Sequence, residues 1–435
     1  MTGPLRLLTA AAALAAWAAG PAAAQSVYGC ADLAGQHHTP AIEGREGTFF
    51  RIAPDLHMHH PFSDPTILKL AELSQALALQ GTTLVYMPVP TKALAMPGHL
   101  PGVAVDFGYD ADLAATVYTE GLRKLREAGV VAVDARRAML EASAADPAFF
   151  KADYRWTARG AQLAALAVAH ALRDEPSFAD LPKGAFSTTP MQPATLDSPT
   201  RQRLQQRCQL TLPPVETMTF ATSKVQAAQL VRGTSIFSVQ ARLPLMAVVG
   251  TEFTGEEATN FPGFLSEATG LDVVRYAVPG GGAFGAISSY LTSAAFQEQR
   301  PAILVWENPI WHSLARFGDQ PMAELIAAAG NTCRVPLRLQ ASPAPDTVRA
   351  DLSGLDPALD YTIYVDSGAE ARAARFTFAN ADGATRTRVI ERSDGQVATG
   401  RFYMPTTGLW DAGAVRLDIA FDTSVGVTPR VTACF

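Results

Sequence analysis

Hydrophobic and polar residues alternate along the first three quarters of the chain with two different periods. Apolar residues recur at helical spacing over 64–80, 109–128 and 157–173. Between these segments lie short apolar runs typical of buried strands, at 82–87, 130–133, 245–249 and 302–306. Strands that alternate with helices predict a parallel sheet with helices on both faces. Ligand sites in such sheets lie beyond the carboxyl ends of the strands.

From about residue 332 the pattern changes to short alternating runs separated by turn residues, at 334–340, 361–365, 375–379, 387–391, 400–404 and 414–420. This spacing predicts an all-β sandwich. The stretch 174–242 is less regular, with strand character only at 234–239, and we interpret it as an insertion or connecting region. We therefore expect an α/β domain over residues 25–325 and a β-sandwich over residues 330–435.

The first 24 residues have the pattern of an export signal. Arg6 precedes a short apolar segment, and Ala22-Ala23-Ala24 stands before Gln25, as at a cleavage site. The segment is too short for a preferred transmembrane helix, and no later run of about 18 apolar residues suggests one. The sequence predicts an exported protein that is cleaved after Ala24.

Four cysteines agree with export, because an even number in an oxidising compartment favours two disulfides over a metal site. They allow three pairings, of which we favour Cys30–Cys208 and Cys333–Cys434, since the second pair brackets the predicted sandwich. With 35 basic and 41 acidic residues, the chain has a net charge of −6, which does not suggest nucleic-acid binding. No cofactor is predicted.

The histidines at 57, 59 and 60 have only a loose likeness to metal-ligand spacing. No cysteine or carboxylate group at matching spacing completes a site. No metal is predicted.

Two short segments hold the most informative polar residues: Asp153-Tyr154-Arg155-Trp156 and Gly250-Thr251-Glu252. They resemble the SGNH-hydrolase-like domain of the alginate O-acetylation proteins, the AlgX/AlgJ family, where they read Asp-x-His-Trp and Gly-Thr-Ser. In that family the Asp orients the His, the His accepts the Ser proton, and the Ser carries the acetyl group. Other segments are similar to the family in the same order, at 89–92, 260–265, 276–282 and 303–309.

The resemblance places Asp153, Arg155 and Glu252 at the three catalytic positions, two of them substituted. Arginine stays protonated and cannot act as a base, and glutamate has no hydroxyl to carry an acetyl group. We expect Arg155 and Glu252 to form an ion pair, with Asp153 also near. Other side chains that we consider as substitute nucleophile or base are Thr251, Thr254 and His312.

The resemblance implies a periplasmic protein that acts in exopolysaccharide biosynthesis or O-acetylation, with an acidic polymer such as alginate as its ligand. Two hypotheses stay open. The first is a non-catalytic or chemically altered relative that binds polysaccharide or a biosynthetic partner such as a membrane-bound O-acyltransferase. The second is an active polysaccharide O-acetyltransferase with a non-standard nucleophile and base. An esterase, which needs the same missing pair, ranks third.

Candidate ligand-binding residues follow from the resemblance and from the side chains of the sandwich, since aromatic rings stack on sugars and arginine binds carboxylates. They are Lys92, Gly280, Gly281, Arg386, Arg388, Tyr403 and Trp410. We add Arg375 and Arg392 to the basic residues Arg386 and Arg388 of the sandwich. Arginines at these positions are informative because packing of the core does not require them.

Overall fold

The computed structural model describes residues 26–59, 62–225, 245–330, 332–342 and 344–435. The expected export signal, the expected strand at 234–239 and His60 therefore lie outside the described residues. Within those ranges, no helix combines the length and the hydrophobicity that a membrane span requires.

Nine strands precede the sandwich in the described residues: β1 (Ala41–Glu43), β2 (Phe49–Arg51), β3 (Thr83–Val89), β4 (Val131–Ala132), β5 (Phe186–Thr195), β6 (Glu216–Lys224), β7 (Met246–Gly250), β8 (Val273–Ala277) and β9 (Ile303–Pro309). The α-helices in the same ranges are α1 (Ile52–Asp55), α2 (Asp64–Ala78), α3 (Lys92–Ala95), α4 (Ala111–Glu127), α5 (Ala135–Met139), α6 (Ala158–Leu172), α7 (Pro176–Ala179), α8 (Pro199–Gln205), α9 (Glu252–Gly255), α10 (Phe261–Thr269), α11 (Gly285–Thr292), α12 (Ala294–Glu298) and α13 (Gln320–Ala329).

The central sheet has the order β4-β3-β9-β7-β8, and its pairings are all parallel. Neighbouring side chains of a strand point to opposite faces. Tyr86 and Trp306 thus belong to a core shared with α2, α4, α11 and α13, whereas Val85 and Val305 belong to a second core with α6 and α10. Buried on both faces, these strands read as continuous apolar runs. The predicted parallel sheet with flanking helices is confirmed.

The segment 174–225 is more ordered than the predicted connecting region. Its two long strands, β5 and β6, form a two-stranded antiparallel sheet that packs against α10. Most of their residues are exposed, and the register shifts between Pro190 and Pro193. Because most residues of the two strands are exposed, the strands show no regular alternation of apolar residues, which explains why the sequence pattern did not predict them.

The C-terminal region is a sandwich of two antiparallel sheets, as predicted. One sheet has the order β10-β18-β13-β16, and the other β11-β12-β17-β14-β15. The strands are β10 (Cys333–Pro336), β11 (Arg338–Gln340), β12 (Thr347–Asp351), β13 (Thr362–Asp366), β14 (Ala373–Ala379), β15 (Thr385–Glu391), β16 (Arg401–Pro405), β17 (Arg416–Phe421) and β18 (Arg430–Cys434). The sequence pattern did not include β12 and β18.

The disulfides are Cys30–Cys208 and Cys333–Cys434, the pairing that we favoured from the sequence. The second joins β10, the first strand of the sandwich, to β18, the last. A cross-link over 101 residues restricts the unfolded chain strongly and so favours the folded sandwich.

The sandwich packs on α13 through a buried ion pair. Arg392 Nη2 donates to Glu324 Oε1 at 2.8 Å, and both side chains are 3% exposed. The same arginine lies over the ring of Phe402 and donates to the carbonyl of Arg401. The expectation that Arg392 faces a polysaccharide was therefore wrong, because its charge is used inside the protein.

Candidate active site

The turn that carries Glu252 lies at the carboxyl end of β7 and is built around one buried carboxylate. Glu307, near the end of the adjacent β9, accepts hydrogen bonds from the backbone N–H groups of Thr251 (2.7 Å) and Thr254 (3.3 Å). It also accepts from the hydroxyls of both threonines, at 3.0 Å each. A Cβ at Gly250 would lie 2.2 Å from Glu307 Oε2, so this approach requires glycine.

Burial raises the pKa of Glu307 to about 7, and the nearby charge of Glu252 acts in the same direction. The hydrogen bonds from Thr251 and Thr254 favour the ionised form and offset part of this effect. Glu307 therefore changes its protonation state near neutral pH, although it sits beneath the site and is inaccessible to solvent.

We expect the contribution of Glu307 to the free energy of unfolding to fall as the pH rises from 4.5 to about 7. In this interval the folded protein keeps a proton on Glu307 that the unfolded chain releases, so ionisation favours unfolding. Thermal melts at pH 5, 6 and 7 should show this decline as a difference in slope between wild type and Glu307→Gln. The exposed Glu298→Gln variant is the control and should keep the wild-type slope; an unchanged slope in Glu307→Gln would contradict the assignment.

Glu252 is half-buried and is held by two donors. The Tyr154 hydroxyl donates to Oε1 at 2.9 Å, and the backbone N–H of Gly280 donates to Oε2 at 3.3 Å. Gly280 has a φ of 72°, a left-handed conformation that favours glycine. Burial, together with the charge of Glu252, raises the pKa of Tyr154, so its hydroxyl remains a donor at neutral pH.

Arg155 forms a network with two other carboxylates. Its Nε and Nη2 donate to the two oxygens of Asp153 at 3.1 and 3.0 Å, and its Nη1 donates to Glu256 Oε2 at 2.9 Å. Burial opposes its charge, but the bonds and charge of Asp153 outweigh this and raise the pKa of Arg155. The predicted ion pair of Arg155 with Glu252 was wrong: the acidic partner lies four residues further along.

Asp153 has no oxygen left to orient another base. Ser198 Oγ donates to Oδ2, and the backbone N–H of Arg155 donates to Oδ1 at 2.8 Å. Burial favours the neutral acid, but the hydrogen bonds and charge of Arg155 outweigh it and lower the pKa of Asp153. Asp153 is thus an ionised, fully bonded group.

The three side chains considered as substitutes differ in their surroundings. The hydroxyls of Thr251 and Thr254 are buried and donate to Glu307, so neither is directed toward solvent as a nucleophile. His312 is half-buried; burial lowers its pKa, and the charge of Glu252 offsets part of that effect. Its Nδ1 has no hydrogen-bond partner within the part of the chain that the structure describes.

Sequence reasoning missed four side chains that shape the site: Tyr154, Glu256, Glu307 and Arg51. The Arg51 guanidinium lies 4.2 Å from the centre of the Tyr154 ring and 4.9 Å from that of Trp311, and it pairs with Asp55 at 3.0 Å. Tyr154 and Glu307 stand inside the family-like segments, which was an available signal. Arg51 and Glu256 had no such signal.

Lys92 was expected to bind substrate, and the structure corrects this. The side chain is 1% exposed, and its Nζ donates to the carbonyls of Phe150 (2.5 Å), Lys151 (2.8 Å) and Asp153 (3.1 Å). Three bonds use the donor capacity of an ammonium group. Burial lowers its pKa to about 7. Lys92 therefore holds the loop before Asp153 in place.

The candidates of the sandwich are dispersed. Tyr403 is 4% exposed and packs at a tilt against Tyr364 beside α13, so the expectation that its own ring stacks on a sugar was wrong. Arg388 donates to the carbonyls of Pro405 and Thr407, and Arg386 donates to those of Gly408 and Leu409 and lies over Trp410. Both arginines hold the 405–410 loop, and their role in ligand binding stays a prediction.

Gly281 lies next to Gly280 at the rim of the site, where an added Cβ would lie 2.8 Å from Val278. His59 Nε2 lies 3.0 Å from the carbonyl of Pro54. In the described ranges, no group of three or more His, Cys, Asp or Glu side chains is arranged to hold a metal ion.

The parallel sheet, the acidic turn after β7 and the Asp-x-x-Trp loop before α6 define an SGNH-hydrolase-like protein. Residues 42–310 match the family described as SGNH hydrolase-like domain, acetyltransferase AlgX. The chain belongs to this family.

Relatives of the chain include proteins of alginate biosynthesis. It is 29% identical over 295 residues to the alginate biosynthesis protein AlgX of Azotobacter vinelandii, an alignment that covers 67% of this chain and 59% of the relative. It is 27% identical over 265 residues to the probable alginate O-acetylase AlgJ of the same organism, covering 58% of this chain and 65% of the relative. The alignment thus spans less than two thirds of each relative.

Two solved structures have similar folds. AlgX of Pseudomonas aeruginosa superposes with a TM-score of 0.73 at 24% identity, covering 91% of this chain and 94% of the other. The O-acetyltransferase domain of Pseudomonas putida AlgJ superposes with a TM-score of 0.51 at 25% identity, covering 66% of this chain and 98% of that domain.

Proposed function

We propose that this chain is a non-catalytic or chemically altered member of its family, which acts in alginate-type exopolysaccharide biosynthesis or O-acetylation by binding the polymer or a biosynthetic partner. The proposal rests on the hydrogen bonds that already engage the side chains at both substituted positions. Arg155 is satisfied by Asp153 and Glu256, and Glu252 is satisfied by Tyr154 and Gly280. These residues form a stable charged network in place of a base and a nucleophile.

The alternative, an active O-acetyltransferase, requires an activated nucleophile. A serine or threonine hydroxyl reacts only when a neighbouring base takes its proton. The hydroxyls of Thr251 and Thr254 are bonded to Glu307, and Ser198 is buried against Asp153. Among the hydrogen bonds of the described residues, none of these three hydroxyls donates to a histidine, so none has a neighbouring imidazole as its base. This favours the binding role.

The compartment, partners and division of the chain belong to the same proposal. Export to the periplasm with cleavage after Ala24 is supported by the sequence pattern of the first 24 residues. An acidic polysaccharide such as alginate is the proposed ligand, and a membrane-bound O-acyltransferase or another polymer assembly protein is the proposed partner. The proposed units are an SGNH-like domain over 25–325 and a carbohydrate-binding type of sandwich over 330–435.

Purified protein is expected to show little turnover of p-nitrophenyl acetate and no stable acyl-enzyme. Arg155 cannot accept a proton at neutral pH, and Glu252 has no hydroxyl to acylate. Release of p-nitrophenol measures turnover, and intact-protein mass spectrometry detects an added acetyl group. Robust turnover that is lost in Thr251→Ala, Thr254→Ala or His312→Ala would contradict the proposal and identify the substitute group.

A further inference from the structure

A cavity of about 500 Å³ lies between the α/β region and the sandwich, away from Glu252. Its α/β side includes Gln80, which precedes β3, and Arg300, which precedes β9. These residues mark the amino ends of the parallel strands, whereas Glu252 follows the carboxyl end of β7. The cavity is therefore at the opposite edge of the sheet from the candidate active site.

The cavity is rich in arginine, although the chain as a whole is negatively charged. Arg300, Arg401 and Arg430 line it, and the nearby carboxylates are Asp366 and the exposed Glu298. Asp366 Oδ2 is shared by Arg401 Nε at 3.1 Å and Arg430 Nη2 at 3.4 Å. One carboxylate that serves two guanidinium groups leaves positive charge uncompensated.

Arg300 adds a guanidinium that has no carboxylate partner within 4.0 Å among the described residues. It donates to the carbonyls of Ala329 and Gly330 at the end of α13, and it lies over the ring of Phe296. Burial lowers the pKa of Arg300, which shows the cost of holding this charge without an anion. A bound anion would reduce that cost.

An aromatic pair stands beside these charges. The rings of Tyr364 and Tyr403 are tilted by 34° with their centres 4.7 Å apart, and both residues line the cavity. Tyr403 is buried, whereas Tyr364 is partly exposed and supplies the accessible ring surface. Guanidinium groups bind carboxylates through paired N–H donors, and an aromatic face stacks on the apolar face of a sugar. The combination suits a sugar that carries a carboxylate.

The other large cavity of the sandwich has the opposite character. It measures about 570 Å³, lies next to Trp410, and is lined by Asp356, Asp360 and Asp411. Its carboxylates would repel an acidic polymer. Charge therefore favours the cavity at Arg300 as a place for an acidic sugar.

We propose that the cavity at Arg300, Arg401 and Arg430 binds a uronate residue of an acidic polysaccharide, with the carboxylate on the arginines and the sugar ring against Tyr364. The proposal rests on the polymer-binding role given above, and it assigns that role to the edge of the sheet opposite Glu252. The volume is within the range of small-ligand pockets.

Calorimetric titration of the full chain with a uronate hexamer tests the assignment. We expect Arg430→Gln to weaken binding by about tenfold, the cost of one charge-assisted hydrogen bond, and Arg300→Gln to have a similar effect. Arg430 is 70% exposed, so its variant should fold even if the loss of Arg300 disturbs α13. The matched control is Arg416→Gln on β17, an exposed arginine that also pairs with a carboxylate, Asp418, and it should bind like wild type.

Labelling by phenylglyoxal gives an independent measurement, because it modifies exposed arginines. The hexamer should protect Arg430 and leave Arg416 reactive, while a neutral glucan hexamer should protect neither.

Three results would overturn the assignment. If wild type and Arg430→Gln bound the hexamer with equal affinity, the cavity would not be the binding site, and the polymer would bind elsewhere on the protein. Equal competition by inorganic phosphate would make it a general anion site. No binding of the hexamer to wild type would overturn both the cavity and the proposed polymer-binding role.

Discussion

Arg155→His combined with Glu252→Ser is expected to raise the turnover of p-nitrophenyl acetate by about a hundredfold or more over wild type, the scale of general-base catalysis by a placed histidine. Removal of the guanidinium frees acceptor sites on both oxygens of Asp153, and its Oδ1 accepts the backbone N–H of residue 155, so Asp153 is positioned to orient an imidazole there. Tyr154 and the N–H of Gly280, which now bind Glu252, would become donors near the new hydroxyl.

Replacing Arg155 leaves the Glu256 carboxylate without its cationic partner. Adding Glu256→Gln should restore stability without removing the gain in turnover. Each single substitution should remain inactive, and Asp153→Asn in the restored background should lower the rate again. A combined variant that folds like wild type yet gains no turnover would mean that the site has diverged beyond its two substituted positions.

The site illustrates what a sequence can and cannot specify. Its position was predictable, since apolar strand runs locate the carboxyl ends of β7 and β9, and the segments around Asp153 and Glu252 occur beside helix starts. The pairing of charges was not, because it depends on side-chain reach. The Tyr154 hydroxyl donates to Glu252, and the Arg155 guanidinium donates to Glu256 instead. A difference of four residues separates the expected partner from the actual one.

Burial of polar groups was the second property that residue type did not reveal. Lys92 and Arg392 are charged and were predicted to bind ligands, yet both side chains are buried. Each is tolerated there because carbonyls or a carboxylate satisfy its donors, and these acceptors come from residues distant in sequence. The arginines at 386 and 388 likewise bind carbonyls of a loop that the sequence pattern left undescribed.

The ion pair between Arg392 and Glu324 is where we expect the largest loss of stability from one substitution. Arg392→Met should lower the free energy of unfolding by about 3–5 kcal/mol, because it leaves a carboxylate buried without its cation. Glu324 also accepts from the backbone N–H of Tyr403, so the loss should loosen the contact between α13 and β16. Urea unfolding followed by far-ultraviolet circular dichroism measures the change.

Two matched variants separate the buried charge from the lost side-chain volume. Arg392→Met together with Glu324→Leu should recover most of the stability, since an apolar pair of similar size replaces a buried ion pair at little net cost. Lys69→Met removes an exposed partner of Glu72 on α2 and should leave the unfolding midpoint unchanged. If the double variant were as unstable as Arg392→Met alone, packing against Phe402, rather than the unpaired charge of Glu324, would account for the effect.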